Sequence, residues 1–94
     1  MIKIVSKKYV KADSVERFKT LANELVLKSQ LEDGCAFYNL HQAVNDSTIL
    51  AFIEGWENQE ALDKHKVSEH FTRIVPQLED LCTQSGELMV YKEV

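Results

Sequence analysis

The segment from Thr48 to Glu57, TILAFIEGWE, is apolar on both sides of any strand that it forms. Successive side chains of a strand point to opposite faces. Leu50, Phe52 and Trp56 therefore share one face, and Ile49, Ala51 and Ile53 share the other. Residues 35–44, CAFYNLHQAV, repeat the pattern with Tyr38 and Leu40 against Cys35 and Phe37. An antiparallel sheet covered on one side alternates apolar-in with polar-out, so a hairpin apolar on both sides needs a cover on each. A chain of 94 residues can build only one small core. Its own helices are expected over one face. Large exposed apolar patches are rare on soluble monomers, so a twofold copy of the same sheet is expected over the other. The expected assembly is a homodimer through the sheet face.

The rest of the chain supplies those helices. Ile2–Val10, IKIVSKKYV, has the β-branched residues and alternating lysines of a strand. Asp13 or Ser14 is a candidate N-cap, followed by Glu16 in a first turn. Val15, Phe18, Leu21, Ala22, Leu25 and Ser29 then recur at helical spacing, which predicts an amphipathic helix over residues 14–31, ended by Gly34. Asn45-Asp46-Ser47 reads as the connector of a hairpin between the two central runs. Asn58 and Ser68 each open a further helix, NQEALDKHK and SEHFTRIVPQLEDLC, and Pro76 predicts a kink or a lost backbone bond near residue 72. After Ser85-Gly86, ELMVYKEV reads as a last strand. The order β-α-β-β-α-β is the split βαβ pattern of a ferredoxin-like α+β domain, a single domain over residues 1–94.

Composition closes off several classes of function. Eleven Lys and Arg against fifteen Asp and Glu give a formal charge of −4 with no basic block, which argues against nucleic-acid binding. No apolar run approaches the ~20 residues of a membrane span. Lys3, Lys7 and Lys8 break up the start where a signal peptide would lie, so a cytoplasmic location is expected. Cys35 and Cys82 lack the spacing of metal ligands and read as reduced, partly buried thiols. No GxGxxG or P-loop is present, and no cofactor is expected.

Two stretches are more specific. Residues 33–40, DGCAFYNL, resemble the D/E-G-C-x-x-Y-x-L entry into the second strand of the antibiotic biosynthesis monooxygenase family. Residues 54–71, EGWENQEALDKHKVSEHF, resemble that family's signature E-x-W-x(3)-E-A-L-x(2)-H-x(2)-S-x-H-F. The resemblance implies a dimeric α+β barrel with a site between each sheet and its own helices. It also implies one of several chemistries: cofactor-independent oxygenation of quinols and polycyclic phenols, haem degradation, or processing of a quorum-sensing autoinducer. The haem-degrading relatives use a strand-one asparagine, a tryptophan ending the short helix and a histidine in the long helix. Here those places hold Ser6 or Lys7, His65 and, near Val75, no histidine, so haem degradation is not expected.

Within the signature, His65 follows Ala61 by four residues and Leu62 by three, which turns its ring toward the apolar side of its helix. It is a candidate base or proton shuttle, or a packing residue. Glu54 shares a strand face with Phe52 and Trp56, and is a candidate partner of His65 or a base itself, with its pKa raised by burial. Trp56, Phe52 and Phe71 are candidate walls for a small aromatic or quinol-like substrate, and Tyr38 a candidate donor. His70 is a weaker binding candidate at the start of the second helix. It stands five residues from His65 rather than four, so no metal site is expected from that pair. Asn39 and His41 are expected on the opposite face from Tyr38, and so at the dimer interface. Whether Ser6 or Lys7 points inward is not settled by the pattern. The leading expectation is a cofactor-independent monooxygenase of quinols or electron-rich phenols. Isomerisation of a small phosphorylated carbonyl, favoured if Lys7, Lys8 or Arg73 lines the cavity, and a non-catalytic ligand-binding dimer are the alternatives.

Overall fold

The structure, a computed structural model, describes residues 1–94. Its elements are β1 (Ile2–Val10), a 3-10 turn (Ala12–Ser14), α1 (Val15–Gln30), β2 (Cys35–Ala43), β3 (Asp46–Trp56), α2 (Gln59–Lys66), α3 (Glu69–Glu79) and β4 (Cys82–Lys92). The four strands form one antiparallel sheet in the order β2-β3-β1-β4. This is the expected ferredoxin-like α+β topology, with its second helix broken in two at Val67-Ser68.

Register fixes what each face carries. One row across the sheet runs Leu40, Phe52, Ser6, Leu88 and the next runs Tyr38, Glu54, Ile4, Val90. These belong to the face beneath the helices. Phe18, Ala22 and Leu25 of α1 and Ile74 and Leu78 of α3 bury their apolar stripes against Ile4, Tyr38, Leu50, Phe52 and Trp56. Burying each large side chain contributes on the order of 1.5–3 kcal/mol, so this layer carries the stability of the fold. The opposite face holds the row Asn39, Ile53, Val5, Met89, with Phe37, Ile49 and Ala51 nearby. Phe37, Ile49, Ala51, Ile53 and Val5 are only half-buried and Met89 is exposed. The hairpin is therefore apolar on both faces, as its sequence requires.

The ends of elements differ from the sequence reading in four places. Neither Asp13 nor Ser14 caps α1 with its side chain; the Ser14 hydroxyl donates instead to Asp13. The hairpin turn is Val44-Asn45, because Ala43 already pairs with Asp46. The last helix stops at Glu79 rather than running on to Cys82. The Lys11 amide takes the Leu81 carbonyl and Cys82 pairs with Val10, so the sheet captures the chain there. Ser85-Gly86 accordingly lies inside β4, beside a register shift opposite Lys7–Tyr9, where a Cβ on Gly86 would fall 2.0 Å from the Lys7 carbonyl oxygen. Pro76 sits within α3 and has no N–H to offer the Thr72 carbonyl, the lost bond that was expected. Asn58 and Ser68 cap α2 and α3 through Ala61 N–H and Phe71 N–H. Gly34, at φ +83°, turns the chain from α1 into β2.

Candidate active site

A cavity of about 240 Å³ lies between the helix-covered face of the sheet and α1 and α3. Phe52, Tyr38, Leu25, Phe71, Val75 and Leu78 give it largely apolar walls, and Glu54, Ser6 and Lys8 are among its polar lining. A larger depression of about 440 Å³, bordered by Lys19, Asn39, His41 and Gln42, is open and has no buried ionisable group. The smaller, more enclosed cavity is the better candidate because an ionisable side chain is committed to it.

That side chain is Glu54, 6% exposed. Two residues along β3, on the same face, the buried Trp56 donates its indole Nε1–H to Glu54 Oε1 at 2.9 Å. Burial pushes the Glu54 carboxyl up to about 7. The indole hydrogen bond pulls the other way by favouring the charged form, and the nearby Glu32 charge adds to the rise. A carboxyl held near neutrality can both take and return a proton at physiological pH. Burial also drives the Tyr38 phenol well above its ordinary value, with Glu54 adding to the rise, so Tyr38 lines the cavity as a neutral phenol. Ser6 points inward, whereas Lys7 lies on the other face near Glu87 at 3.7 Å. Lys8 reaches the cavity but is tied to Glu79 at 2.5 Å. Arg73 is engaged by Glu24 and Glu69 away from it.

His65 is buried one layer behind the cavity. Its ring packs on Trp56 at 4.5 Å between centroids, and on Tyr38 and Phe71 at 5.3 and 5.0 Å. Its hydrogen-bond partner is Glu32 rather than Glu54. Nδ1 lies 2.6 Å from Glu32 Oε2, and His70 Nε2 lies 2.7 Å from the same oxygen. A carboxylate only accepts, so both facing nitrogens carry hydrogen in this arrangement. His65 Nε2 is left buried without a partner. Burial lowers the His65 pKa below its ordinary value, and Glu32 opposes that shift without overcoming it. The structure thus brings together Glu54, Tyr38, Phe52 and Phe71 around one space, and gathers His65 and His70 into a second cluster. Trp56, expected as a wall, is instead fully buried behind Glu54 and does not line the cavity. The structure separates the expected His65–Glu54 pair. It also corrects the argument from spacing, since the break between α2 and α3 turns His70 back toward His65. Asn39 and His41 lie on the face opposite Tyr38, as expected, and are exposed along β2. Glu32 was missed: it sits in the turn between α1 and β2, where no periodicity marks it.

Residues 1–77 match the family model described as antibiotic biosynthesis monooxygenase. A Synechocystis protein named as uncharacterized protein sll1783 is 31% identical over 83 residues, covering 88% of this chain and 56% of its own length. The chain thus spans about half the length of that relative. The crystal structure of a conserved protein from Methanosarcina mazei Go1 superposes with a TM-score of 0.97 at 31% identity, covering 99% of this chain and 92% of that one. The crystal structure of an antibiotic biosynthesis monooxygenase does so with a TM-score of 0.95 at 33% identity, covering 100% of this chain and 99% of that one.

The buried carboxyl makes a pH prediction. A folded-state pKa near 7, above the ordinary 4.5, means that the folded chain holds this proton more tightly than the unfolded chain. The resulting stability is complete below about pH 4.5 and is lost as pH rises through 7. His65, shifted the opposite way, is common to wild type and Glu54→Gln and cancels in their difference. Urea unfolding is expected to show wild type losing about 3 kcal/mol relative to Glu54→Gln between those limits. A difference that does not change with pH would contradict the shift.

Proposed function

The chain belongs to the antibiotic biosynthesis monooxygenase family, and from that membership and its cavity we propose that it is a homodimeric, cytoplasmic, cofactor-independent monooxygenase of a quinol or similar electron-rich phenol. The observation that carries this reading is the Glu54 carboxyl, buried against aromatic walls and held near neutrality. Glu54 takes the hydroxyl proton of the bound phenol, while the neutral Tyr38 hydroxyl donates to a substrate oxygen. The phenolate is rich enough in electrons to reduce O₂ directly. A carbon–oxygen bond forms at the ring, and the oxygen–oxygen bond then breaks. The ring gives up four electrons and two hydrogens in all; one oxygen atom stays on carbon and the other leaves as water. The proton held by Glu54 returns to the departing oxygen. Phe52 and Phe71 position the ring and exclude water, which protects the intermediate, while Trp56 holds Glu54 from behind. The cavity lies below the ~300–1,000 Å³ typical of drug-sized ligands, which favours a one- or two-ring substrate.

A phosphorylated carbonyl substrate would need a free cation in the cavity. Lys8 is there but neutralised by Glu79, and neither Lys7 nor Arg73 lines it. That favours the phenol over the isomerase reading. A non-catalytic ligand-binding dimer would use the same walls without turnover. The apolar outer face, with Ile53 and Val5 at its centre, supports a twofold sheet-on-sheet dimer.

Two measurements test the proposal. With reduced menadione and other one- and two-ring quinols and phenols, an oxygen electrode is expected to record protein-dependent O₂ uptake, lowered ~10²–10⁴-fold by Glu54→Gln. No uptake above the protein-free rate across several such substrates would sink the monooxygenase reading. Sedimentation is expected to give twice the 10.8 kDa chain mass, and a monomer for Ile53→Asp. A monomeric wild type would contradict the dimer.

A further inference from the structure

Glu32, His65 and His70 form a cluster that the chemistry proposed for Glu54 does not use. Their ligating atoms all lie within 4.8 Å of one another, although the residues come from a turn, the last turn of α2 and the first turn of α3. We propose that this cluster is a binding site for one divalent transition-metal ion of the Zn²⁺ class, ligated by Glu32 Oε2, His65 Nδ1 and His70 Nε2.

Two imidazole nitrogens and one carboxylate oxygen are a donor set that suits zinc and its first-row neighbours rather than Mg²⁺ or Ca²⁺. Metal–ligand bonds of ~2.0–2.2 Å place neighbouring donor atoms ~3.3–3.6 Å apart in a tetrahedral site. Glu32 Oε2 now lies 2.6 and 2.7 Å from the two nitrogens. Admitting an ion therefore requires the Glu32 oxygen to draw back by ~0.6–1.0 Å, between two imidazole nitrogens that lie within 4.8 Å of each other. Glu32, in the Leu31–Gly34 turn rather than a helix or strand, is the side chain best able to move. His65, by contrast, is fixed by the rings of Trp56, Tyr38 and Phe71. The cluster also has a route to solvent, since the Glu32 and His70 side chains are 15% and 14% exposed while His65 is not. That opening leaves room for water in a fourth position, as in three-ligand zinc sites.

The second nitrogen of His65 points to the same occupant. In the hydrogen-bonded arrangement a neutral His65 has its proton on Nδ1, so Nε2 is a bare lone pair, buried with no donor. Metal on Nδ1 moves that proton to Nε2, where an N–H, unlike a bare lone pair, can interact favourably with a neighbouring aromatic ring. The break between the helices builds the geometry. Ser68 caps α3, and its hydroxyl donates to the His65 carbonyl at 2.7 Å, which locks the end of α2 to the start of α3 and so His65 to His70.

The test needs no substrate. Full-length protein, purified through a chelator, is titrated with Zn²⁺ by calorimetry and with Co²⁺ by visible absorption. The expected result is one ion per chain, a four- or five-coordinate cobalt spectrum without a thiolate charge-transfer band, and a raised melting temperature with Zn²⁺. His70→Ala and Glu32→Gln are each expected to weaken Zn²⁺ binding by at least ~10–100-fold and to abolish the thermal shift. His41→Ala is expected to change neither. The Glu32 and His70 side chains are both partly exposed, and far-UV circular dichroism of each variant separates loss of the metal site from loss of folding. Failure of Zn²⁺ to bind the wild type, or binding of equal strength and stoichiometry in His70→Ala, would overturn the proposal. Neither result bears on Glu54 or on O₂ uptake.

Discussion

The hydrogen bond from the Trp56 indole to the Glu54 carboxyl is the interaction on which the interior of this domain depends. Burying a carboxyl costs several kcal/mol unless it is hydrogen-bonded or neutralised. Here both remedies operate, with one donor on Oε1 and a pKa raised toward neutrality. The arrangement follows from the period of a strand, since residues two apart share a face. It also requires β3 to sit between β2 and β1, so that Tyr38 and Ile4 flank Glu54 in its row. One carboxyl oxygen is held by the protein, and the carboxyl as a whole lines the cavity.

The Trp56 ring divides the interior into two chemical compartments. On one side, its N–H organises Glu54 toward an apolar cavity. On the other, its face packs against His65, which belongs to a polar cluster opening to solvent through Glu32 and His70. The two histidines of the family signature thus serve a different compartment from its glutamate. Tyr38 and Phe71 touch both, lining the cavity and packing on the imidazole. A change in the position of His65 would reach the cavity through these rings rather than through a direct contact.

Much of this was readable in the chain, for identifiable reasons. Helical and strand periods placed Phe18, Ala22, Leu25, Ile74 and Leu78 over Phe52 and Trp56, because burial enforces those periods along whole elements. The period of β3 also put Glu54 beside Trp56. The pairing of His65 with Glu32 was not readable, because it joins residues 33 positions apart across a turn and two helices. The i, i+4 rule for paired ligands holds within one helix, and the break at Val67-Ser68 removes its premise. Cys82 was assigned to the wrong element because its apolar spacing fits a helix. Pairing with Val10 decided otherwise, and that is a tertiary contact no local pattern contains.

The central claim is that a cavity carboxyl is held near neutrality by its surroundings, and direct titration tests it. The side-chain carboxyl ¹³C resonance of Glu54, assigned by comparison with Glu54→Gln, can be followed from pH 4 to 9 in the ligand-free protein. A midpoint about 7 is the result this account predicts. A midpoint at the ordinary value of 4.5 would mean an ionised, water-accessible glutamate, and would contradict it.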